Sequence, residues 1–321
     1  MDIPVTWIHA AAERIAPYIQ RTPLTYDGDL QIYLKWENQQ RTGSFKARGA
    51  LNKVLQLSAA DLQRGLVAAS AGNHGQGVAM AGQLVGAQVI VFCAENAVPT
   101  KVEAMRAWGA DVRLVPGGYG DAEIAGREFA HSNDATWISP YNDAQVIAGQ
   151  GTIALEVCAQ LPAGLQADWL VPTSGGGLTA GIGSGMKACA SQHKLVAVQA
   201  ASSAFMHALY LHGSQAGVPD NPTIADGLSG PVEEGSITIP LVQELVEDFL
   251  VVEEDEIGRA VAYAWHKYGE KIEGSAAVGL AAVLSGAIGQ RPAVIVLTGG
   301  NIGPEVHAEI CAHWLPDLNL E

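Results

Sequence analysis

The chain has 321 residues, with 18 Lys and Arg against 33 Asp and Glu, a formal charge of −15. That acidity, with no basic cluster longer than a few residues, argues against a nucleic-acid partner, and every apolar run is broken before the roughly 18 residues that a membrane span needs. Its opening, MDIPVTWIHAAAERIAPYI, lacks a basic leader, and Cys93, Cys158, Cys189 and Cys311 lie far apart with no CxxC pair, so the sequence predicts reduced, mostly buried thiols, no zinc site and a cytoplasmic location.

In chain order the first informative stretch is ENQQRTGSFKARGA (37–50), where Lys46 and Arg48 stand at the start of a helix. Taken alone, both read as solvated cations on a helix surface, because lysine is rarely buried without a partner. LVAAS (66–70) then reads as a strand running into SAGNHGQG, in which Ser70 and Asn73 have cap chemistry for a helix starting near His74. The same helix start could seat a carboxylate on its free N–H groups. AQVIVFCA (87–94) and DVRLVP (111–116) are further strands, alternating with the helical stretches PTKVEAMRAWG, GDAEIAGREFAH and GQGTIALEVCAQL.

ADWLVPTS (167–174) leads into TSGGGLTAG, and KLVAVQA (194–200) follows. VEEDE (252–256) has the look of a solvated helix start, and KIEGSAAVGLAAV places Glu273 just ahead of a helix that Ser275 would cap. The last strand, PAVIVLTGG (292–300), ends in Thr298 beside two glycines. Short β-branched runs, apolar on both faces and separated by helices, specify an α/β fold with an open, mostly parallel sheet. Ligands in such folds sit at the carboxyl ends of the strands.

Three glycines at 175–177 remove every β-carbon from one turn, so successive backbone N–H groups can converge on a phosphate, with a hydroxyl added by Ser174 or Thr179. A plain strand-to-helix turn would use the same residues. No GK[ST] follows, no acid closes the next strand, and no HExxH or GxSxG is present. Walker, dinucleotide, zinc-peptidase and serine-hydrolase readings therefore fall away. One lysine, one phosphate-cradling turn and one carboxylate-binding helix start are what a phosphorylated aldehyde cofactor and an amino-acid substrate require.

The ordered landmarks KWENQQRTGSFKARGA, SAGNHGQGVA, VIAGQGTIALEV, VPTSGGGLTAG, ADGL, EGSAAVGLAAV and LTGGN run from about Pro23 to about Asn301. On them the chain resembles the pyridoxal-phosphate enzymes of fold type II, in the threonine/serine dehydratase and serine racemase branch. The resemblance implies two open, twisted, mostly parallel sheets: a large domain from residues 1–48 and 146–321, and a small mobile domain from 49–145, with pyridoxal 5'-phosphate between them. It implies Lys46 as the Schiff-base lysine and catalytic base, with Phe45 against the cofactor ring and Asn73 on the ring hydroxyl. Ser174, Gly175, Gly176, Gly177 and Leu178 would hold the phosphate, Thr298 would face the pyridine nitrogen, and Glu273 would stand near the ring. Ser70, Ala71, Gly72, Asn73 and His74 would surround the substrate carboxylate, and Asn142, Gly149 and Asp226 would line the substrate side. A homodimer acting on a small amino acid is the implied assembly.

The expected activity is dehydration and deamination of a β-hydroxy amino acid such as threonine or serine. A cysteine synthase-like β-replacement enzyme and a serine racemase are the alternatives within the fold; a non-catalytic ligand sensor is the alternative outside it. Three departures from the family pattern bear on this. Ser174 stands where a further glycine is usual. Ala71 stands where racemases carry a serine that acts as the opposite-face base, so racemisation should be weak. Gln199 and Phe205 take the places of the racemase's divalent-ion carboxylates, so no metal is expected. Because the chain stops soon after the last landmark, a C-terminal amino-acid-sensing domain is not expected either.

Overall fold

A computed structural model describes residues 2–190, 192–288 and 292–317. Among the described residues, ten strands form two sheets. In the first sheet, β1 (Leu24–Asp27) pairs antiparallel with β2 (Ile32–Trp36) at one edge. The smaller sheet contains β3 (Leu66–Ala69), β4 (Val89–Ala94), β5 (Asp111–Val115) and β6 (Thr136–Trp137) in the order β5-β4-β3-β6, all parallel. The larger sheet is completed by β7 (Asp168–Pro172), β8 (Lys194–Ala200), β9 (Asp248–Val252) and β10 (Ala293–Leu297). Its order is β1-β2-β10-β7-β8-β9, parallel apart from β1.

The interior strands are those whose sequence is apolar on both faces. Every residue of β3, β4, β7 and β10 is buried, as expected for strands covered by helices above and below. The edges β5 and β9 alternate buried with open positions. The α/β architecture with two parallel-rich sheets is the one the resemblance implies. Strands at 24–27, 32–36, 136–137 and 248–252 were not visible as such in the sequence. In β2 the reason is Lys35, a charge in the middle of the strand that is nevertheless fully buried.

The helix Lys46–Val54 packs its Ala47, Ala50, Leu51 and Val54 into the small-sheet core beside Val78 and Val91. Gly149, expected on the substrate side, belongs to packing instead. It lies in the helix Ala144–Gln160, where a β-carbon would come within 2.7 Å of the Arg48 carbonyl oxygen and of Gly49 Cα. It is a point of close approach between two helices, with no room for a ligand beside it.

Two further expectations are corrected by the tertiary structure. Arg48 is not a surface cation: it is completely buried, because the helix Ala144–Gln160 brings an acid, Glu156, against it. Cys158 and Cys189 are not free thiols but a disulfide, with Cα atoms 5.4 Å apart. The helix Gly177–Met186 packs along the helix Ala144–Gln160 and brings the two together from 31 residues apart. Cys93 and Cys311 are free and buried, as expected. No described helix is long and apolar enough to cross a membrane.

Candidate active site

The turns after β2, β3, β7 and β10 leave the carboxyl ends of their strands and meet in one cleft. The approach to Lys46 is pinned to the end of β10 by backbone bonds. Phe45 N–H donates to the Thr298 carbonyl at 3.0 Å, Gly300 N–H donates to the Gly43 carbonyl at 2.9 Å, and Ser44 bridges Gly299. Gly43 has φ +69, and a β-carbon there would lie 2.5 Å from Asn301 Oδ1. Only glycine meets both constraints.

Lys46 opens its helix with the side chain half-buried and its Nζ 3.1 Å from the Pro140 carbonyl oxygen, to which it donates. The same Nζ lies 5.2 Å from the centroid of the Phe45 ring. Burial pushes the Lys46 amine down to about 8, with Glu273 opposing the shift. A buried lysine so placed is poised to act as nucleophile and base near neutral pH.

Pro140 is followed by Tyr141, which joins the amine to the glycine turn. A β-carbon on Gly175 would sit 2.5 Å from Tyr141 Cδ1, and one on Gly177 would sit 2.7 Å from Tyr141 Cβ. Gly176 is left-handed at φ +81 and precedes the helix Gly177–Met186. The Gly175 carbonyl accepts from Thr238 Oγ1 at 2.6 Å, while the N–H groups of residues 174–178 have no acceptor among the described residues. Thr179 is tied to Thr173 through a 2.7 Å hydroxyl pair. Ser174 is therefore the hydroxyl left for a ligand, together with the free N–H groups through Leu178.

Opposite the amine, the helix Asn73–Val85 begins with no side-chain cap. Ser70 Oγ accepts Gly72 N–H at 3.0 Å, holding a tight turn, and Ala71 is exposed at its tip. Asn73 reaches across the cleft: its Nδ2 donates to Glu273 Oε1 at 2.6 Å, and its Oδ1 accepts from Asn301 Nδ2 at 2.7 Å. The capping reading of Ser70 and Asn73 gives way to these contacts. The His74 ring is turned away, its Nε2 donating to the Ile138 carbonyl at 2.8 Å, and burial pushes it down to about 3. The ring is committed to that carbonyl, and the backbone N–H of His74 has no acceptor among the described residues.

Glu273 is itself the residue ahead of the helix Gly274–Leu284, and Ser275 accepts Gly227 N–H at 2.9 Å instead of capping. Burial first, and then the charge of Asp226, push the Glu273 carboxyl up to about 7. Asp226 is exposed and forms an ion pair with Lys101 at 2.6 Å, whose stem runs 3.3 Å from where a Gly72 β-carbon would be. Asn142 borders the cleft as the acceptor of Ile237 N–H at 3.1 Å. Thr298 is buried at the end of β10. Sequence reasoning missed Pro140, Tyr141 and Lys101, which carry no local motif. It also missed Asn301, although LTGGN had marked its turn.

This arrangement fits a phosphorylated aldehyde. A row of free N–H groups without β-carbons suits the phosphate. A desolvated amine suits the carbonyl carbon, and the flat Phe45 ring suits an aromatic heterocycle. The places that the resemblance gives to the racemase's ion carboxylates hold other groups. Gln199 Oε1 accepts His207 N–H at 3.1 Å and Phe205 packs into the core, and among the described residues no cluster of three metal-ligating side chains occurs.

Comparisons with known proteins agree with that fit. L-threonine ammonia-lyase of Geobacter sulfurreducens is 37% identical over 308 residues, covering 94% of this chain and 76% of the relative. Maize serine racemase superposes with a TM-score of 0.89 at 29% identity, covering 99% of both chains. The processed form of threonine deaminase isoform 2 from Solanum lycopersicum gives 0.87 at 29% identity, covering 96% of this chain and 88% of its own. Residues 15–299 match the pyridoxal-phosphate dependent enzyme family, a span that takes in Lys46, the glycine turn and Thr298, and the chain belongs to that family.

Proposed function

We propose that the chain is an ammonia-lyase for a β-hydroxy L-amino acid, converting threonine to 2-oxobutanoate and serine to pyruvate, with release of ammonia. The observation that carries the reading is the Lys46 amine beside a β-carbon-free anion cradle, the two joined by Pro140 and Tyr141. The relatives named above support the same class of substrate.

Bound pyridoxal phosphate supplies the electron-withdrawing conjugation that makes the substrate α-proton removable. The remaining work falls to the chain's own side chains. The N–H groups of residues 174–178 would hold the phosphate, Phe45 would lie against the ring, and Thr298 would offer a neutral hydroxyl to the ring nitrogen. The free N–H groups of Ala71, Asn73 and His74 orient the substrate carboxylate. With its amine near 8, Lys46 takes the α-proton from carbon and returns a proton to the departing β-hydroxyl, which leaves as water. Hydrolysis returns that water and frees ammonia, so the net change is amino acid to 2-oxo acid plus ammonium.

Ala71 favours elimination over racemisation, because a methyl group carries no proton to the opposite face. On this reading residues 49–145 close as a mobile unit over the large domain, and the working form is a cytoplasmic homodimer. A β-replacement enzyme would keep the amino group, adding a second nucleophile at the β-carbon to give a new amino acid and no ammonia. Ammonia release from a panel of β-hydroxy amino acids, with no sulfide added, separates the two. Lys46→Ala should lose both the cofactor's visible absorbance and turnover, and a variant retaining the full rate would overturn the assignment.

A further inference from the structure

Positions 46 and 48 lie two residues apart in one helix, about 200° apart around its axis. A group that grips residue 48 therefore holds the helix from behind the reactive amine. Arg48 is gripped with all of its donors. Nε and Nη2 form a fork on Glu37 at 2.8 Å each. Nη1 and Nη2 meet the two oxygens of Glu156 at 2.7 and 3.0 Å, and Nη1 also reaches Thr152 Oγ1 at 3.2 Å.

The two acids are held in turn. Thr22 Oγ1 donates to Glu37 at 2.5 Å. Lys35 Nζ directs its three protons to Glu156 at 2.6 Å, the Thr22 carbonyl at 2.8 Å and Gln160 at 3.1 Å. Arg48, Lys35 and Glu37 are completely buried, and Glu156 is nearly so. Two cations and two anions make the set neutral. For Arg48, burial alone would favour losing the proton, but Glu37 and Glu156 reverse this and raise it.

Stability alone does not account for four buried charges, since apolar residues of the same volume commonly stabilise such a junction as well or better. What a fully satisfied network adds is rigidity and a single geometry. The first turn of this helix has no side-chain cap to supply that geometry.

We infer that Arg48, acting through Glu37 and Glu156, is a positioning residue for the Lys46 amine: it fixes the rotation of the helix about its axis, and so the point that Nζ reaches. The inference rests on the proposed role of Lys46 as the reactive amine.

Two variants test it. Arg48→Lys keeps the charge and loses the fork; Thr22→Val removes only one hydroxyl from Glu37. The cofactor-free chains are mixed with pyridoxal phosphate and uptake is followed by absorbance. Then kcat and KM for L-threonine and the melting temperature are measured on the loaded enzymes. Because small misplacements of a reacting group cost rate steeply, Arg48→Lys should slow uptake and lower kcat by about tenfold or more, with KM within about twofold, and Thr22→Val should fall between it and the wild type. Variants that melt earlier yet match the wild type in uptake rate and kcat would make the network purely structural and overturn the inference. So would an Arg48→Lys chain that fails to fold alongside a kinetically normal Thr22→Val chain. A wild-type chain that takes up no cofactor would instead refute the functional reading itself.

Discussion

Glu273→Gln removes a titration while leaving the shape of the site in place, since the amide oxygen can still accept from Asn73. The Glu273 carboxyl is raised from 4.5 to about 7 by burial and by Asp226. Between those two values the folded chain holds a proton that the unfolded chain has released. Its stability therefore falls as pH rises through this window, and the penalty is complete above about pH 7. A shift of this size corresponds to about 3 kcal/mol, most of which develops between pH 5 and pH 8. The substituted amide does not titrate and carries no such penalty. Any cost of its unpaired N–H groups is an offset of roughly 1–3 kcal/mol that does not vary with pH. Urea unfolding of the cofactor-free chains at pH 5, 6, 7 and 8 should show the variant gaining on the wild type by roughly 2–3 kcal/mol across the series. A difference constant with pH would show that Glu273 ionises normally in the folded chain, and the burial argument would fail.

Gly175→Ala places a methyl 2.5 Å from the Tyr141 ring; overpacking of this kind costs about 1–3 kcal/mol, and equilibrium dialysis should show weaker pyridoxal-phosphate binding. Unchanged affinity would mean that the turn is not the phosphate cradle. Cys158→Ser should destabilise the chain under oxidising conditions by about 3–4 kcal/mol, the loop-closure value for a separation of 31 residues. The same variant should differ little from the wild type in excess reductant, as judged by unfolding midpoints. Peptide mapping without reductant that finds both thiols free would refute the pairing.

The legible parts of this protein were the local ones. β3, β4, β7, β8 and β10 stood out because burial on both faces leaves an unbroken apolar run. β2 was hidden by Lys35, whose charge is satisfied by Glu156 and Gln160 from 121 and 125 residues away together with the Thr22 carbonyl. β6 has two residues and no pattern to read. In the site, the glycine turn was visible because the need for missing β-carbons is written in consecutive residues. Tyr141 was not, because only folding places its ring on that turn.

Arg48, Cys158 and Cys189 show the same boundary from the other side. Each is chemically ambiguous in its own segment, and each was misread as an ordinary surface cation or free thiol. The sequence by itself determined the alternation of strands and helices and the turns at the strand ends, both set by constraints a few residues long. The tertiary structure alone decided which groups desolvate Lys46, which acid holds Arg48 from behind it and which cysteines meet. Those outcomes depend on packing between segments 11 to 200 residues apart, where neither period nor composition carries information.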